Sequence, residues 1–398
     1  GCSLSYPTTS RLALTKFKYE SEREASSDDR PADGTPINFE KRKLIGSVLR
    51  QLPDSSMRIA LVYPPGDEFA GSFRFPPLGI AYLATFLMRA GIDPKVLDLR
   101  FLSDKNLHDE ALVREAVGAV ARLDPHFVGL YCNSAVFPFL SEFATAIREE
   151  IPRAHITLGG PHATFLPQEI LDFNKSIDSI VRGEAEITLL ELIRSLQTGN
   201  GQLDNIPGLS YRINGRVFHN KSRAPLRNVD ELPIPDFALF PALQTYQSER
   251  RRIFVPILGS RGCPFNCSFC AAKAMWGHQR RRDPHEVVTE MKVRMRTYGA
   301  DIVFGFLDDE FTCSRQWVTS VCDHIQMEQL HTQWTAFSRV DTVSQDLLRK
   351  LRDSGCINLY YGIESGSQKV LDSMNKGFSA VRAIQTVRDT LKAGIEPT

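Results

Sequence analysis

The sequence is poor in the features that would place it in several large classes. No apolar stretch reaches 18 residues, so no segment reads as a helix that crosses a bilayer. Neither sign of charge is in excess: 48 Lys and Arg stand against 47 Asp and Glu, a net charge of +1. Binding held mainly by nucleic-acid phosphates or an acidic membrane surface needs a basic surplus, so neither partner is expected. Cysteine is scarce, and 8 in 398 residues are too few for a disulfide scaffold. No secretory leader is visible, which makes a reducing cytoplasm the expected compartment. Residues 1–55 lack sustained periodicity; the polar Ser21 to Asp29 stretch, with Pro31, Gly34 and Pro36, buries little and predicts a flexible tail. Its acids Glu20, Glu22, Glu24, Asp28 and Asp29 argue against a transit peptide, and no apolar leader accompanies Cys2 as a lipidation site. A start at Gly1 rather than Met reads as processed or trimmed.

What is present is apolar content, 42% against 24% charged, enough for the cores of two or three domains. Over residues 56–199 short apolar runs alternate with amphipathic stretches. The runs are Arg58 to Tyr63, Lys95 to Asp98, Phe127 to Tyr131, His155 to Leu158 and Ser179 to Arg182; the helical stretches fall at 78–90, 107–122, 136–150 and 186–197. This predicts an α/β domain with a doubly wound, Rossmann-like parallel sheet, whose ligands sit beyond the carboxyl ends of its strands. The segments after those ends are Pro64-Pro65-Gly66, Asn133-Ser134, Gly159-Gly160-Pro161-His162 and Gly183-Glu184. Glycines there either make ordinary tight strand-to-helix turns or let the backbone approach a flat ligand, and their grouping on one edge favours the ligand.

Residues 200–250 read as a connector between domains. Ile206 to Ile213 and Arg216 to His219 form a hairpin on Asn214-Gly215, followed by the proline-stiffened Leu232 to Asp236. A strand at Ile253 to Leu258 then leads into Gly259 to Cys270, where Cys263, Cys267 and Cys270 follow the spacing C-x3-C-x2-C. Three thiolates on a short loop can hold an iron-sulfur cubane and leave its fourth iron without a protein ligand. The alternative is a zinc site completed by His278 or His285, although structural zinc usually takes paired C-x2-C elements. The run Arg280-Arg281-Arg282 predicts an exposed helix entrance, and Met275 and Trp276 line a cofactor site or pack on the domain wall.

The cysteine loop at the end of a strand resembles the signature of the radical S-adenosylmethionine enzymes. The preceding domain is similar to that of the cobalamin-dependent (B12-binding) branch through Tyr63-Pro-Pro65, Pro76 to Leu83, Gly159 to His162 and Gly183 to Glu186. The resemblance covers residues 56–398 and implies a [4Fe-4S] cluster on Cys263, Cys267 and Cys270, with S-adenosylmethionine on the open iron. It implies S-adenosylmethionine contacts from Phe269, Asp309, Glu310, Ser338, Arg339, Glu364 and Ser365. Asp309 and Glu310 would face the methionine amine, Arg339 its carboxylate, and Glu364 the ribose hydroxyls, with Lys376 solvated beside them. It implies cobalamin contacts from Tyr63, Pro64, Pro65, Pro77, Leu78, Gly79, Asn133, Ser134, Gly159, Gly160, His162, Gly183 and Glu184. Asp124 to Gly129 matches D-x-H-x-x-G, the string of histidine-ligated cobalamin, but His126 precedes its strand and is expected on the surface at the opposite edge. Cobalamin without histidine ligation follows, its lower face met from the Pro76 to Tyr82 region.

The implied activity is reductive cleavage of S-adenosylmethionine to a 5′-deoxyadenosyl radical, with methyl transfer to an unactivated carbon of a small molecule. The implied electron donor is a flavodoxin or ferredoxin. Alternatives are a cyclase or rearrangement enzyme of the anaerobic Mg-protoporphyrin monomethyl ester cyclase type, or a non-catalytic cofactor-binding fragment. Residues 251–398 are expected to form a partial (β/α) barrel truncated after four strands, at Ile253, Asp301, Gln333 and Ile357.

Overall fold

The structure, a computed structural model, describes residues 57–66, 75–102, 110–199, 202–246 and 252–398, which lie within one compact unit, Ile45–Thr398. The tail expected over 1–55 lies outside the described residues. All five apolar runs of the first domain form strands: β1 (Ile59–Tyr63), β2 (Pro94–Asp98), β3 (Phe127–Tyr131), β4 (His155–Gly159) and β5 (Ser179–Val181). They are mutually parallel in the order β2-β1-β3-β4-β5, which reverses between β1 and β3. Such a reversal opens a crevice at the carboxyl ends of the strands. Successive side chains of β1 point to opposite faces: Ala60 and Val62 join a core with Val128, Leu130 and Ile156, while Ile59, Leu61 and Tyr63 join another with the helix Leu78–Arg89. Burial of both faces is why the strand is continuously apolar.

The expected hairpin is present as β6 (Leu209–Ile213) and β7 (Arg216–His219). Asn214 and Gly215 turn at φ 49° and 77°, the left-handed pair that a two-residue hairpin turn requires. It is not a free connector, however. β6 pairs antiparallel with β5 and extends the first sheet to seven strands. In the second half of the connector expected over 200–250, Leu232, Phe237, Phe240, Leu243 and Tyr246 are buried in one core with Ile257 and Phe304. Leaving such side chains in water would cost about 1.5–3 kcal/mol each, so the segment fills space between the sheets instead of spanning it.

The second sheet holds β8 (Ile253–Ile257) at one edge. The chain then forms a two-residue antiparallel pair, β9 (Ser260–Arg261) with β10 (Arg280–Arg281), before β11 (Ile302–Phe306), β12 (Gln333–Ser338), β13 (Cys356–Tyr361) and β14 (Glu396–Pro397). The sheet is parallel in the order β14-β13-β12-β11-β8. Four strands were expected, and the two-residue β14 adds a fifth, with Glu396 and Pro397 opposite Asn358 and Leu359. Helices Arg315–Met327, Gln345–Asp353 and Ala380–Lys392 each open after a serine, Ser314, Ser344 or Ser379, whose hydroxyl accepts a first-turn N–H. No helix among the described residues is long and apolar enough to cross a membrane.

Candidate cofactor site

The carboxyl ends of both sheets line one mainly apolar cleft of about 330 Å³, with Leu61, Leu130 and Leu158 on one side and Leu258 and Leu307 on the other. On the second side, β8 runs into a turn anchored by Asp308. That carboxylate accepts Gly259 N at 2.8 Å and Ser260 Oγ at 2.5 Å, and burial raises it to about 7. Gly262 N donates to Asp309 Oδ2 at 3.2 Å. Gly262 sits at φ 89°, where an added Cβ would lie 2.9 Å from the His278 carbonyl oxygen, so this turn requires glycine. The cysteine loop is then held from the other end of the sheet: Ser268 N donates to Met374 O at 2.9 Å, and Asn375 Nδ2 to Asn266 O at 2.8 Å.

Cys263, Cys267 and Cys270 are all free thiols; the first two are partly buried and Cys270 is exposed. Burial pushes the Cys263 thiol up to about 11. Among the described residues no three His, Cys, Asp or Glu side chains converge to hold a single ion. His285, named for a zinc site, instead has its ring 6.1 Å from that of His324. Three thiols at the spacing C-x3-C-x2-C fit a polynuclear iron-sulfur group better than structural zinc, which usually takes paired C-x2-C elements.

The expected S-adenosylmethionine residues gather around this loop, several with other partners. Asp309 lines the cleft. Glu310 is buried; its Oε1 accepts from Thr312 and Thr342, while its Oε2 has no hydrogen-bond partner, an orphan that a ligand ammonium would satisfy. Ser338 Oγ shares a 2.6 Å bond with Thr312 Oγ1. Arg339, expected to meet the methionine carboxylate, grips Asp341 through two 2.9 Å bonds, donates to the Lys376 carbonyl, stacks 3.8 Å over Phe265, and brings Nη1 within 3.5 Å of Cys267 Sγ. Lys376, expected in solvent, is buried with Nζ 3.3 Å from Glu364 Oε1 and 5.5 Å from the Phe269 ring. A buried ammonium needs a counter-charge, and Glu364, held at φ 67°, supplies it. Phe269 is 55% exposed, and Ser365 Oγ accepts Ser367 N.

Of the expected cobalamin residues, Leu78, Gly79, Gly159, Gly160, Gly183 and Glu184 line the cleft. An added Cβ would meet nothing within 4 Å at Gly79 or Gly183, so the cleft has room at both, the space a flat ligand requires. Gly160 is structural, because at φ 106° a Cβ would lie 2.6 Å from the Cys132 carbonyl oxygen. Tyr63, Pro64, Pro65, Pro77, Asn133, Ser134 and His162 lie outside the lining. Tyr63 stacks on Tyr131, which does line it, with ring centroids 4.9 Å apart. Pro64, Pro65 and Pro77 are buried. Asn133 Oδ1 accepts Val136 N, and Ser134 Oγ bonds His162 Nδ1 at 2.9 Å. His126 is exposed, with Nδ1 accepting Arg58 N, at the amino end of β3 as expected. Tyr82, Met275 and Trp276 also line the cleft. A larger hollow of about 750 Å³ lies at the opposite edge of the second sheet, among Arg252, Thr332 and Gln333, and contains none of the motif residues.

The arginine run is the clearest departure from expectation. Arg280 and Arg282 are buried, and only Arg281 is exposed. Arg282 pairs with Glu290 and Asp230, Arg280 with Glu184. Sequence reasoning missed Asp308, Arg261 and Arg280 as builders of the site; the acidic run after β11 was the signal for the first, and nothing local marked the arginines.

The first half of the chain matches the B12 binding domain family over residues 71–193, and the second the Radical SAM superfamily over 257–398. The uncharacterized methyltransferase PH0819 of Pyrococcus horikoshii is 33% identical over 344 residues, 85% of this chain and 72% of that one. The anaerobic magnesium-protoporphyrin IX monomethyl ester cyclase of Rubrivivax gelatinosus is 31% identical over 350 residues, 84% of this chain and 60% of that one. The solved structure of OxsB, a cobalamin-dependent S-adenosylmethionine radical enzyme, with aqua-cobalamin and S-adenosylmethionine bound, superposes with a TM-score of 0.70 at 18% identity, a likeness of fold. It covers 86% of this chain and 49% of that one, so the chain spans about half to three-quarters of the proteins it matches. With the two domain families in the order of the two sheets, and a relative one-third identical across most of both, the chain belongs to the cobalamin-binding radical S-adenosylmethionine enzymes.

Proposed function

We propose that this chain uses a [4Fe-4S] cluster, S-adenosylmethionine and cobalamin to transfer a methyl group to an unactivated carbon of a small-molecule substrate. The observation that carries the reading is the shared cleft, lined on one side by the glycine edge of the first sheet and on the other by Ser260, Arg261, Met275 and Trp276, which flank the Cys263 to Cys270 loop in the chain. When bound, these groups supply an electron, a 5′-deoxyadenosyl radical and a transferable methyl. Cys263, Cys267 and Cys270 would hold the cluster. Asp309 and the orphan Glu310 Oε2 would accept the methionine ammonium, and Glu364 the ribose hydroxyls. Gly79, Gly159 and Gly183 would let the backbone approach the corrin ring, and Leu258, Leu307, Met275 and Trp276 keep water from the reacting carbon. Phe269 and Cys270 are exposed, and through them an electron donor such as a flavodoxin or ferredoxin would reach the cluster loop.

The test is anaerobic reconstitution with iron, sulfide and cobalamin, then chromatography for 5′-deoxyadenosine after reduction with S-adenosylmethionine. Its formation supports the reading; a reduced cluster that yields none sinks it. A second reading, ring formation, is favoured by the 31% identity to the cyclase of Rubrivivax gelatinosus. Methyl-deuterated S-adenosylmethionine separates the two, since label enters the product only in methyl transfer.

A further inference from the structure

The glycine edge of the first sheet and the turn into the cysteine loop are joined by four buried charges. Arg261, on β9 and two residues before Cys263, donates from Nη2 to Glu186 Oε1 at 2.6 Å and places Nη1 3.7 Å from Glu184 Oε1. Arg280, directly opposite Arg261 on β10, brings Nη2 to 2.6 Å from the same Glu184 oxygen. Leu226 N donates to the other Glu184 oxygen at 2.7 Å. The side chains of Arg261, Glu184, Glu186 and Arg280 are 10%, 5%, 4% and 4% exposed, and Arg261 also lies 5.3 Å over the Tyr82 ring in the cleft.

Both acids follow the end of β5 in the first sheet and both bases lie on the β9-β10 pair that brackets the cysteine loop, so the four charges are paired only while the two regions stay in register. A buried ion pair adds little stability over apolar packing, but parting it leaves an uncompensated charge, which penalises any other arrangement of the halves. Gly183, which lines the cleft, is bonded directly to Glu184, and Cys263 is two residues from Arg261. We infer that Glu184, Glu186, Arg261 and Arg280 are positioning residues that fix the separation of the cobalamin edge from the cluster loop. This rests on the reading of the cleft given above.

The test uses the full chain reconstituted with iron and sulfide, loaded with hydroxocobalamin and brought to the cobalt(II) form by one-electron chemical reduction. Microwave power saturation of the cobalt(II) EPR signal is compared with the cluster oxidised and reduced, because a nearby paramagnetic cluster speeds cobalt relaxation with a steep distance dependence. For Glu186→Gln and Arg261→Gln, iron and cobalt contents should match the wild type while the relaxation enhancement changes roughly threefold or more, since the halves shift to relieve the unpaired charge. The exchange Glu186→Arg with Arg261→Glu should move it back toward the wild-type value. Unchanged enhancement in both single variants overturns the inference, as does loss of cobalt from Glu186→Gln, which would make that glutamate a cobalamin ligand.

A second measurement needs no cofactor and stands if the exchange variant does not fold. In the apoprotein, denaturant midpoints of the two single variants and the double variant form a cycle. A double variant less destabilised than the sum supports the clamp, and strict additivity overturns it. A wild type that takes up no cobalt defeats the functional reading alone, and this cycle then still decides the clamp.

Discussion

The two edges of the cleft are built on opposite plans. Apart from the paired Glu184 and Glu186, the lining on the first sheet is mostly backbone and hydrocarbon: Gly79, Gly159 and Gly183 beside Leu61, Leu130 and Leu158. On the second, a lining that includes Leu258, Ser260, Leu307 and Asp309 is backed by polar groups already bonded, with Asp308 and Glu310 buried among donors and Arg339 held by Asp341 and the Lys376 carbonyl. A shape-matched edge suits a large flat group with few strong donors, whereas a chemically matched edge suits a small charged one. The first should be sensitive to added volume and the second to lost ligands and charge.

The largest effect expected is on the second edge. Cys267→Ala should remove nearly all cluster iron and with it 5′-deoxyadenosine formation, while cobalamin content stays near wild type; retained brown colour would undo the contrast. Next comes added volume on the first edge. Gly79→Phe, placed where a Cβ meets nothing, should lower cobalamin affinity by about tenfold or more, equal to about 1.4 kcal/mol, with little change in melting temperature. Equilibrium dialysis measures it, and unchanged affinity would move the corrin elsewhere.

A smaller effect falls on pH dependence. Burial raises the Asp308 carboxyl from its usual 3.8 to about 7 in the folded chain, so the folded state binds its proton more tightly than the unfolded one. Its contribution to stability is fully present below about 4 and is lost as pH rises through about 7. Asp308→Asn should therefore flatten the fall in denaturant midpoint between those values, and an unaltered slope would show that the ionised carboxylate is fully stabilised. The smallest effect is none: His126→Ala, at the amino end of β3, should leave the absorption spectrum of bound cobalamin unchanged.

The legible parts of the site are those whose chemistry sits in one stretch of chain. Cys263, Cys267 and Cys270 declare themselves by spacing, and the strands by continuous apolar runs. Glu184 shows the limit. Beside Gly183 it reads as a ligand contact, yet its partners Arg261 and Arg280 are 77 and 96 residues away, and no local pattern encodes them. The same blindness made Arg280 to Arg282 look like a solvated run, because the acids that neutralise them lie in other elements. The hairpin at Asn214-Gly215 was legible as a turn, but its attachment to β5 depends on an edge that only the assembled sheet presents. The apolar residues of the connector, such as Phe237, were visible too; what they would fill was not.

That connector sets how the molecule can be divided. Ile59 and Leu61 of the first sheet, Phe237 and Leu243 between the sheets, and Ile257 and Phe304 of the second all belong to one hydrophobic cluster. A gene cut near residue 225 would give two polypeptides, each carrying half of a wet apolar seam, and aggregation rather than two working modules is the expected product. Exchange of one cofactor domain for that of a relative faces the same barrier: the transplant has to bring its side of the seam with it.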